Sequence, residues 1–241
     1  MRLFFLILCF SFISASCQEK ESINTQQNSK TKKEVISPGI KETPKYSVQE
    51  KYLMEMGLVD ISPLDSSIII ALKYSTTDNF TKKVLYDSIQ NAYLHPIAAE
   101  KLIKAQKLLK EKNPELSLIV YDAARPLSVQ KKMYDVVQNT RYKAYVANPS
   151  RTGLHNYGIA VDLSICNLKG EPLDMGTPFD YFGKEAGITN EPAYLTKKQI
   201  ENRNLLREVM TKAGFLTIRG EWWHFNALPL AEAKKKCTLI K

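Results

Sequence analysis

The segment from residue 158 to residue 165 constrains the fold most, because two kinds of side chain alternate along it. Alternation with a period of two is typical of a β-strand whose faces meet different surroundings. One face carries branched apolar side chains and the other small or acidic ones: Ile159, Val161, Leu163 and Ile165 against Ala160, Asp162 and Ser164. Small neighbours leave room beside Asp162, and an unpaired buried carboxylate is costly. The pattern predicts a sheet that carries a functional site at Asp162, where a metal ion would satisfy both facts.

Other predicted elements surround this strand without a regular βαβ rhythm. Strands are predicted at 66–74, 116–121, 215–218 and 222–227, and helices at 98–112, 127–139 and 196–214. The pair Arg219–Gly220 predicts a tight turn between the last two strands. This order favours an α+β fold, a single domain with a central, mainly antiparallel sheet flanked by helices. A chain of 241 residues suits one such domain plus accessory length.

The N-terminus predicts an exported protein. A positive start is followed at residues 3–13 by an apolar run too short to span a bilayer, and residues 14–16 are small, so residues 1–16 predict a signal peptide. Cys17 follows directly, as in bacterial lipoprotein signals, in which that cysteine carries the lipid. Ser14 stands where such signals usually have leucine, so a secreted protein with a free N-terminal cysteine is the alternative.

Residues 17–47 are polar and predict a flexible tether, because such a segment buries too little surface to offset its ordering entropy. The folded domain is therefore expected at residues 48–241. We expect a periplasmic location or a lipoprotein anchored to the envelope, with membrane contact only through the N-terminal lipid.

Charge and cysteine content exclude other classes. The formal charge of +9 is spread along the chain without an arginine-rich stripe, so no nucleic-acid partner is expected, and 234–236 is interpreted as a solvated end. The cysteines lack C-x-x-C spacing, which argues against cysteine-ligated zinc. Cys166 and Cys237 could form a disulfide in an oxidising compartment or remain two buried thiols.

The chain has three histidines, and two of them have acidic neighbours in the sequence. His95 precedes a predicted helix without a nearby carboxylate or cysteine, which favours a structural role. His155 precedes Asp162 by seven residues, and His224 follows Glu221 by three, among aromatic residues. Two imidazoles and one carboxylate form a known catalytic zinc set with a fourth position for water. Glu221 could then take a proton from that water.

These residues lie in motifs that resemble those of the D-alanyl-D-alanine dipeptidase family. The carrying stretches are His155-x-x-Gly158-x-Ala160-x-Asp162 and Glu221-Trp222-Trp223-His224, with further matches at 73–80, 121–126 and 175–180. The resemblance covers roughly residues 60–228. It implies a fold of the hedgehog/DD-peptidase type, shared by zinc DD-peptidases and hedgehog signalling domains.

Site assignments follow from the resemblance. It implies one Zn²⁺ per chain, bound by His155, Asp162 and His224, with Glu221 as general base and then acid.

Four further residues are implied to contact the substrate or to line its pocket. Arg125 would hold the oxyanion, Asp180 would receive the free ammonium group of a small dipeptide, and Tyr74 and Asn79 would line the pocket. The alternatives are a salt bridge from Arg125 to Asp122, a loop-capping Asp180, and purely structural positions for Tyr74 and Asn79.

The implied activity is zinc-dependent hydrolysis of D-alanyl-D-alanine, or a similar D-amino-acid dipeptide, in the cell envelope. One alternative is a zinc DD-carboxypeptidase or endopeptidase acting on peptidoglycan stem peptides. Another is a zinc-bound binding module without catalysis, against which Glu221 and Arg125 both argue. One position departs from the family: Gly153 stands where a serine is usual, two residues before the first zinc histidine.

Overall fold

The computed structural model describes residues 45–189 and 191–241. The predicted signal peptide, Cys17 and nearly all of the predicted tether lie outside the described residues. The described helices are α1 Val48–Glu55, α2 Pro96–Lys112, α3 Leu127–Val137, α4 Lys197–Lys212 and α5 Leu230–Lys236. The described strands are β1 Val59–Asp60, β2 Ile69–Ile70, β3 Tyr93–Leu94, β4 Leu116–Asp122, β5 Ala160–Asn167, β6 Leu216–Thr217 and β7 His224–Asn226.

Five of these strands form one sheet with the order β2-β4-β5-β7-β6. Strand β2 runs parallel to β4, and every other neighbouring pair in this sheet is antiparallel. Strands β1 and β3 pair separately as a small antiparallel ribbon. The predicted α+β class, with a mainly antiparallel central sheet flanked by helices, is confirmed.

One face of β5 belongs to the hydrophobic core. Val161, Leu163 and Ile165 are fully buried on one face, as their alternation predicts. Helix α2 packs on β4 and α4 packs on β5, and the two helices also pack against each other. This face is part of the apolar surface whose burial is the dominant favourable term in folding. It leaves Asp162, on the opposite face, available for a site.

The predicted strand at 66–74 is wrong over most of its length. Only Ile69–Ile70 pairs with β4, and Lys73–Ser75 form a short 3₁₀ helix instead. Asp65 ends the preceding turn, because its carboxylate accepts hydrogen bonds from the backbone and hydroxyl of Ser67. Tyr74 lies in this 3₁₀ turn and is buried.

The predicted tight turn at Arg219–Gly220 is also wrong, because six residues, 218–223, connect β6 to β7. This connection makes its hydrogen bonds to other segments and does not form a tight two-residue turn. The Arg219 carbonyl accepts from Ile188 N–H, Trp222 N–H donates to the Ala186 carbonyl, and the Trp223 carbonyl accepts from Leu163 N–H. The long connection holds Glu221 over the sheet.

Chain ends and helix caps complete the fold. The capping box predicted at Thr196 is present at the start of α4, and Gly214 follows that helix with a φ of 99°. Helix α5 was not predicted, and its last turn carries the exposed lysines of 234–236. Cys166 and Cys237 are both free thiols, so the disulfide considered above is not formed. None of the described helices is long and apolar enough to cross a membrane.

Gly158 closes the turn that leads into β5, and we expect its replacement to destabilise the domain. Its φ is 64°, and a Cβ there would lie 2.7 Å from Leu58 Cδ2 and 3.0 Å from the backbone nitrogen of His95. Gly57 is the matched control, because its φ is 84° but a Cβ would meet nothing within 4 Å.

Gly57→Ala should lower the free energy of unfolding by about 1 kcal/mol, the cost of the left-handed backbone alone. Gly158→Ala should cost about 1–3 kcal/mol more, because overpacking adds to that strain. Urea denaturation of the metal-free variants measures both values. Equal losses in the two variants would contradict the close approach at Gly158.

Candidate active site

The three predicted zinc ligands meet on one face of the sheet. Asp162 and His224 are directly opposite each other in the register of β5 and β7. His155 lies in the 3₁₀ turn Leu154–Tyr157 that precedes β5. The Asp162 carboxylate oxygens are 3.3 Å from His155 Nε2 and 2.9 Å from His224 Nδ1, and these two nitrogens are 3.2 Å apart. Among the described residues this is the group that could hold a metal ion.

The donor set fits zinc. Ligand atoms at tetrahedral positions around Zn²⁺ are about 3.3 Å apart, close to the distances between these three atoms. The outer nitrogen of each imidazole has its own partner: His155 Nδ1 lies 2.7 Å from the Ala123 carbonyl, and His224 Nε2 lies 2.8 Å from Asn226 Oδ1. Such partners turn the inner nitrogens toward a common point.

Electrostatics favours a cation at this point. Burial alone would raise the pKa of Asp162, but the two histidines outweigh burial and hold it well below its usual range. Burial alone would lower the pKa of His224, but its hydrogen bond and attraction to Asp162 raise it to about 9. The triad therefore attracts a positive charge, which a proton or a metal ion can supply.

Glu221 lies beside the triad, with its Oε2 3.9 Å from His224 Nδ1. Burial raises the pKa of this carboxyl above its usual value, which brings it nearer to the range that suits a general base or acid at neutral pH. The flanking tryptophans anchor it: Trp222 Nε1 donates to Thr177 Oγ1 at 2.9 Å, and Trp223 is buried against Phe179.

Arg125 follows β4 and lines the same cavity. Its Nε and Nη2 donate to Asp122 Oδ2, and its Nη1 donates to Gln130 Oε1 at 2.8 Å. The salt bridge weighed as an alternative is therefore present. A guanidinium has five N–H donors, so these three bonds leave two of them for a ligand. The pairing with Asp122 orients Arg125 without preventing contact with a substrate.

Asp122 is a buried carboxylate that holds the Arg125 guanidinium in place. The sequence indicates it only as a possible salt-bridge partner of Arg125. Asp122 is fully buried, accepts the Tyr86 hydroxyl at 2.6 Å, and lies opposite Asp162 in the register of β4 and β5. The sheet thus places two carboxylates side by side. The Arg125 Nη2 between them contacts Asp122 and lies 3.7 Å from Asp162, which reduces their repulsion.

Asp180 faces the same cavity from the loop before α4. The Tyr74 hydroxyl lies 3.0 Å from each of its carboxylate oxygens, and the backbone of Asp180 has a φ of 61°. A left-handed conformation at a residue other than glycine is strained and is common at functional sites. Burial, followed by repulsion from Asp162, raises the pKa of Asp180 to about 8. No lysine, arginine or histidine among the described residues forms an ion pair with it.

The cavity around these residues has a volume of about 310 Å³. Its walls include residues that sequence analysis did not single out: Phe80, Gln130, Met133, Tyr145, Val146, Phe182, Ile218 and Asn226. They come from loops, from α3 and from β7, and apart from Phe80 in the matched stretch 73–80 nothing in their local pattern marks them. Asn79 and His95 instead have structural contacts, since Asn79 Nδ2 bonds three backbone carbonyls and His95 Nδ1 caps α2.

Comparison with known proteins agrees with this geometry. The family model described as D-ala-D-ala dipeptidase matches residues 54–236. The chain belongs to this family. The D-alanyl-D-alanine dipeptidase of Escherichia coli K12 is 34% identical over 174 residues, covering 72% of this chain and 86% of that protein. The D-alanyl-D-alanine dipeptidase of Enterococcus faecalis is 26% identical over 194 residues, covering 73% and 93%.

The matched range contains every candidate site residue outside the N-terminal segment. The expected cofactor of this dipeptidase-family chain is confirmed as zinc, and the His155, Asp162 and His224 donor set fits it. Gly153 lines the cavity, and a Cβ there would lie 3.4 Å from Ala147 Cβ. A Cβ therefore makes only ordinary contacts at this position, and a lack of space for it does not explain the glycine.

The raised pKa of Asp180 predicts a specific pH dependence of stability in the metal-free protein. Its folded pKa of about 8 lies above the value of about 4 for an unfolded aspartate, so the unfolded chain ionises first as the pH rises. Stability is fully retained below about pH 4 and decreases through the pH range up to about 8.

Asp180→Asn should remove this loss. The difference in free energy of unfolding between the variant and the wild type should grow from about pH 4 to about pH 8 and then level off. Urea titrations at a series of pH values measure it. A difference that stays constant across this range would show that Asp180 does not carry the raised pKa.

Proposed function

We propose that this protein hydrolyses D-alanyl-D-alanine or a similar D-amino-acid dipeptide with a free N-terminus, using one zinc ion. One observation carries the proposal: the site combines four carboxylates with one guanidinium, namely Asp122, Asp162, Asp180, Glu221 and Arg125. Ionised and with neutral histidines, they leave three negative charges in excess. A zinc dication and the substrate ammonium group place positive charge beside these carboxylates, although the dipeptide also brings one carboxylate of its own. The site thus favours a metal ion together with a free amine.

Asp180 is suited to the ammonium group. Burial and Asp180 raise the pKa of the Tyr74 hydroxyl well above its usual value, so the hydroxyl stays protonated and donates to Asp180. The remaining lone pairs of the carboxylate can accept N–H bonds from a substrate amine, and such charge-assisted bonds are strong. A buried carboxylate with one neutral donor is costly until a cation arrives.

Glu221 and Arg125 act in the catalytic steps. Zinc, when bound, polarises the peptide carbonyl and makes a nearby water more acidic. Glu221 accepts a proton from the attacking water and returns it to the leaving amine, as its raised pKa permits. Arg125 directs its free N–H groups at the oxygen on which charge develops. The Asp122 and Gln130 bonds hold the guanidinium in place meanwhile.

The alternative of a carboxypeptidase or endopeptidase acting on stem peptides would share the zinc triad and Glu221. It would leave Asp180 without a cation, because such substrates carry an amide where the dipeptide carries an ammonium group. A binding module without catalysis would need neither a general base nor an oriented guanidinium. The dipeptidase accounts for all of these residues.

We also propose that the chain is exported and lipidated at Cys17, and that its dipeptide substrates come from the cell envelope. The signal-like residues 1–16 and the polar segment after them support this proposal.

Removal of the general base should separate catalysis from metal binding. Glu221→Gln keeps the size of the side chain but cannot accept the proton, so kcat should fall about 100-fold or more. Zinc content measured by atomic absorption should remain one ion per chain. A Glu221→Gln enzyme that keeps most of its turnover would show that another group acts as the base.

Substrate selection should depend on Asp180. The wild type should cleave D-alanyl-D-alanine far faster than its N-acetylated form, because acetylation removes the ammonium charge. Asp180→Asn should lower kcat/KM for the free dipeptide about 10- to 100-fold, because the variant loses a charge-assisted hydrogen bond to the ammonium group. The N-acetylated substrate is the internal control, and its rate should not fall in the variant. Faster cleavage of an N-acylated stem peptide would instead favour the carboxypeptidase.

Lipidation predicts a membrane-bound protein. After expression in a bacterial host, the wild type should sediment with the membrane fraction and resist extraction by salt, because several acyl chains anchor stably. Cys17→Ser should prevent this modification, and mass spectrometry of the N-terminal peptide reads it directly. An unmodified Cys17 in the wild type would leave the secreted alternative.

A further inference from the structure

Asn226 is the outer hydrogen-bond partner of His224. It follows His224 by two residues on β7, so both side chains project from the same face of the sheet. Its Oδ1 lies 2.8 Å from His224 Nε2, and its side chain lines the active-site cavity while only 8% of the residue is exposed. The ladder holds it from both sides, because Asn226 is opposite Ala160 on β5 and Leu216 on β6.

Zinc binds a neutral imidazole, so in the zinc-binding form of His224 two acceptors compete for a single ring proton. Asp162 Oδ1 is 2.9 Å from Nδ1, and Asn226 Oδ1 is 2.8 Å from Nε2. A neutral imidazole carries its proton on one nitrogen only. A carboxylate is the stronger acceptor, so Asp162 alone would draw the proton to Nδ1. That tautomer blocks the nitrogen that faces the other two ligands.

We infer that Asn226 is a positioning residue that keeps the His224 proton on Nε2, so that Nδ1 is free to bind zinc. The inference rests on the zinc centre of the proposed function and names a determinant of its metal affinity. Outer partners of metal-binding histidines fix the tautomer and the ring orientation in this way.

A comparison with His155 shows why Asn226 can determine the zinc affinity. The outer nitrogen of His155 has the backbone carbonyl of Ala123 as its partner, at 2.7 Å. No side-chain substitution removes a carbonyl, so the tautomer of His155 is set by the fold. The tautomer of His224 is set by a side chain and can be changed separately.

The experiment measures zinc affinity of the full protein by competition with a chromophoric chelator. Asn226→Leu has a similar size but no acceptor, and it should bind zinc about 10- to 100-fold more weakly than the wild type. Asn226→Asp can only accept at this position and should restore at least wild-type affinity. Leu216→Ala is the matched control, because it changes the same ladder position without touching the hydrogen bond, and its zinc affinity should equal that of the wild type.

A spectroscopic measurement separates ligation from folding. The visible absorption of the cobalt-substituted protein reports whether His224 is a ligand, so Asn226→Leu should show an altered spectrum and Asn226→Asp a spectrum like the wild type. Melting of the metal-free proteins checks folding, and Asn226→Ala replaces the leucine variant if the latter melts much earlier.

Three results have distinct meanings. Wild-type zinc affinity in both Asn226→Leu and Asn226→Ala would overturn the inference while leaving the proposed function intact. Equal losses in Asn226→Asp and Asn226→Leu would also overturn it, because an acceptor would then not be what matters. A wild type that binds no zinc would overturn the proposed function itself.

Discussion

The contact between Asp162 and the two histidines is the interaction on which the site depends. It exists because the β5–β7 register places Asp162 opposite His224, while the turn before β5 places His155 beside them. The register in turn depends on burial of the apolar face of β5 beneath α4. A one-residue slip of β5 would turn Asp162 into the core and the apolar residues toward the site. Folding and metal binding therefore share one constraint.

The second feature is an excess of negative charge that the protein alone does not neutralise. Asp122 has Arg125 and Tyr86 as partners, whereas among the described residues Asp180 bonds only the neutral Tyr74 hydroxyl. Unpaired buried carboxylates reduce stability. The same arrangement gives the site its affinity for a metal ion and an amine. The carboxylates that bind these ligands therefore lower the folding stability of the ligand-free protein. The positive φ of Asp180 adds local strain at the same place.

Sequence reasoning was most successful where pattern and chemistry coincide. The alternation along β5 predicted both the buried face and the position of Asp162, and the unusual neighbours of His155 and His224 pointed to a zinc set. The fold class and the capping box at Thr196 were also predicted, because they depend on local periodicity and short-range bonding.

Prediction from the sequence failed where contacts between segments distant in sequence determine the structure. The strand at 66–74 stops early because Tyr74 turns inward to meet Asp180, more than a hundred residues away in sequence. The connection 218–223 is long because it bonds to the segment before α4. Gln130 and Asn226 act through contacts that no local motif reveals. Asp122 was visible only as a partner for Arg125, and its burial came from the sheet register.

The most direct test of a zinc dipeptidase is hydrolysis of D-alanyl-D-alanine by the purified protein, with and without prior removal of metal by a chelator. The zinc mechanism predicts release of D-alanine that stops after chelation and returns on addition of one equivalent of zinc. Hydrolysis that persists in the verified metal-free protein would contradict the zinc mechanism. No hydrolysis by the zinc-loaded protein, together with cleavage of stem peptides, would contradict the dipeptidase assignment.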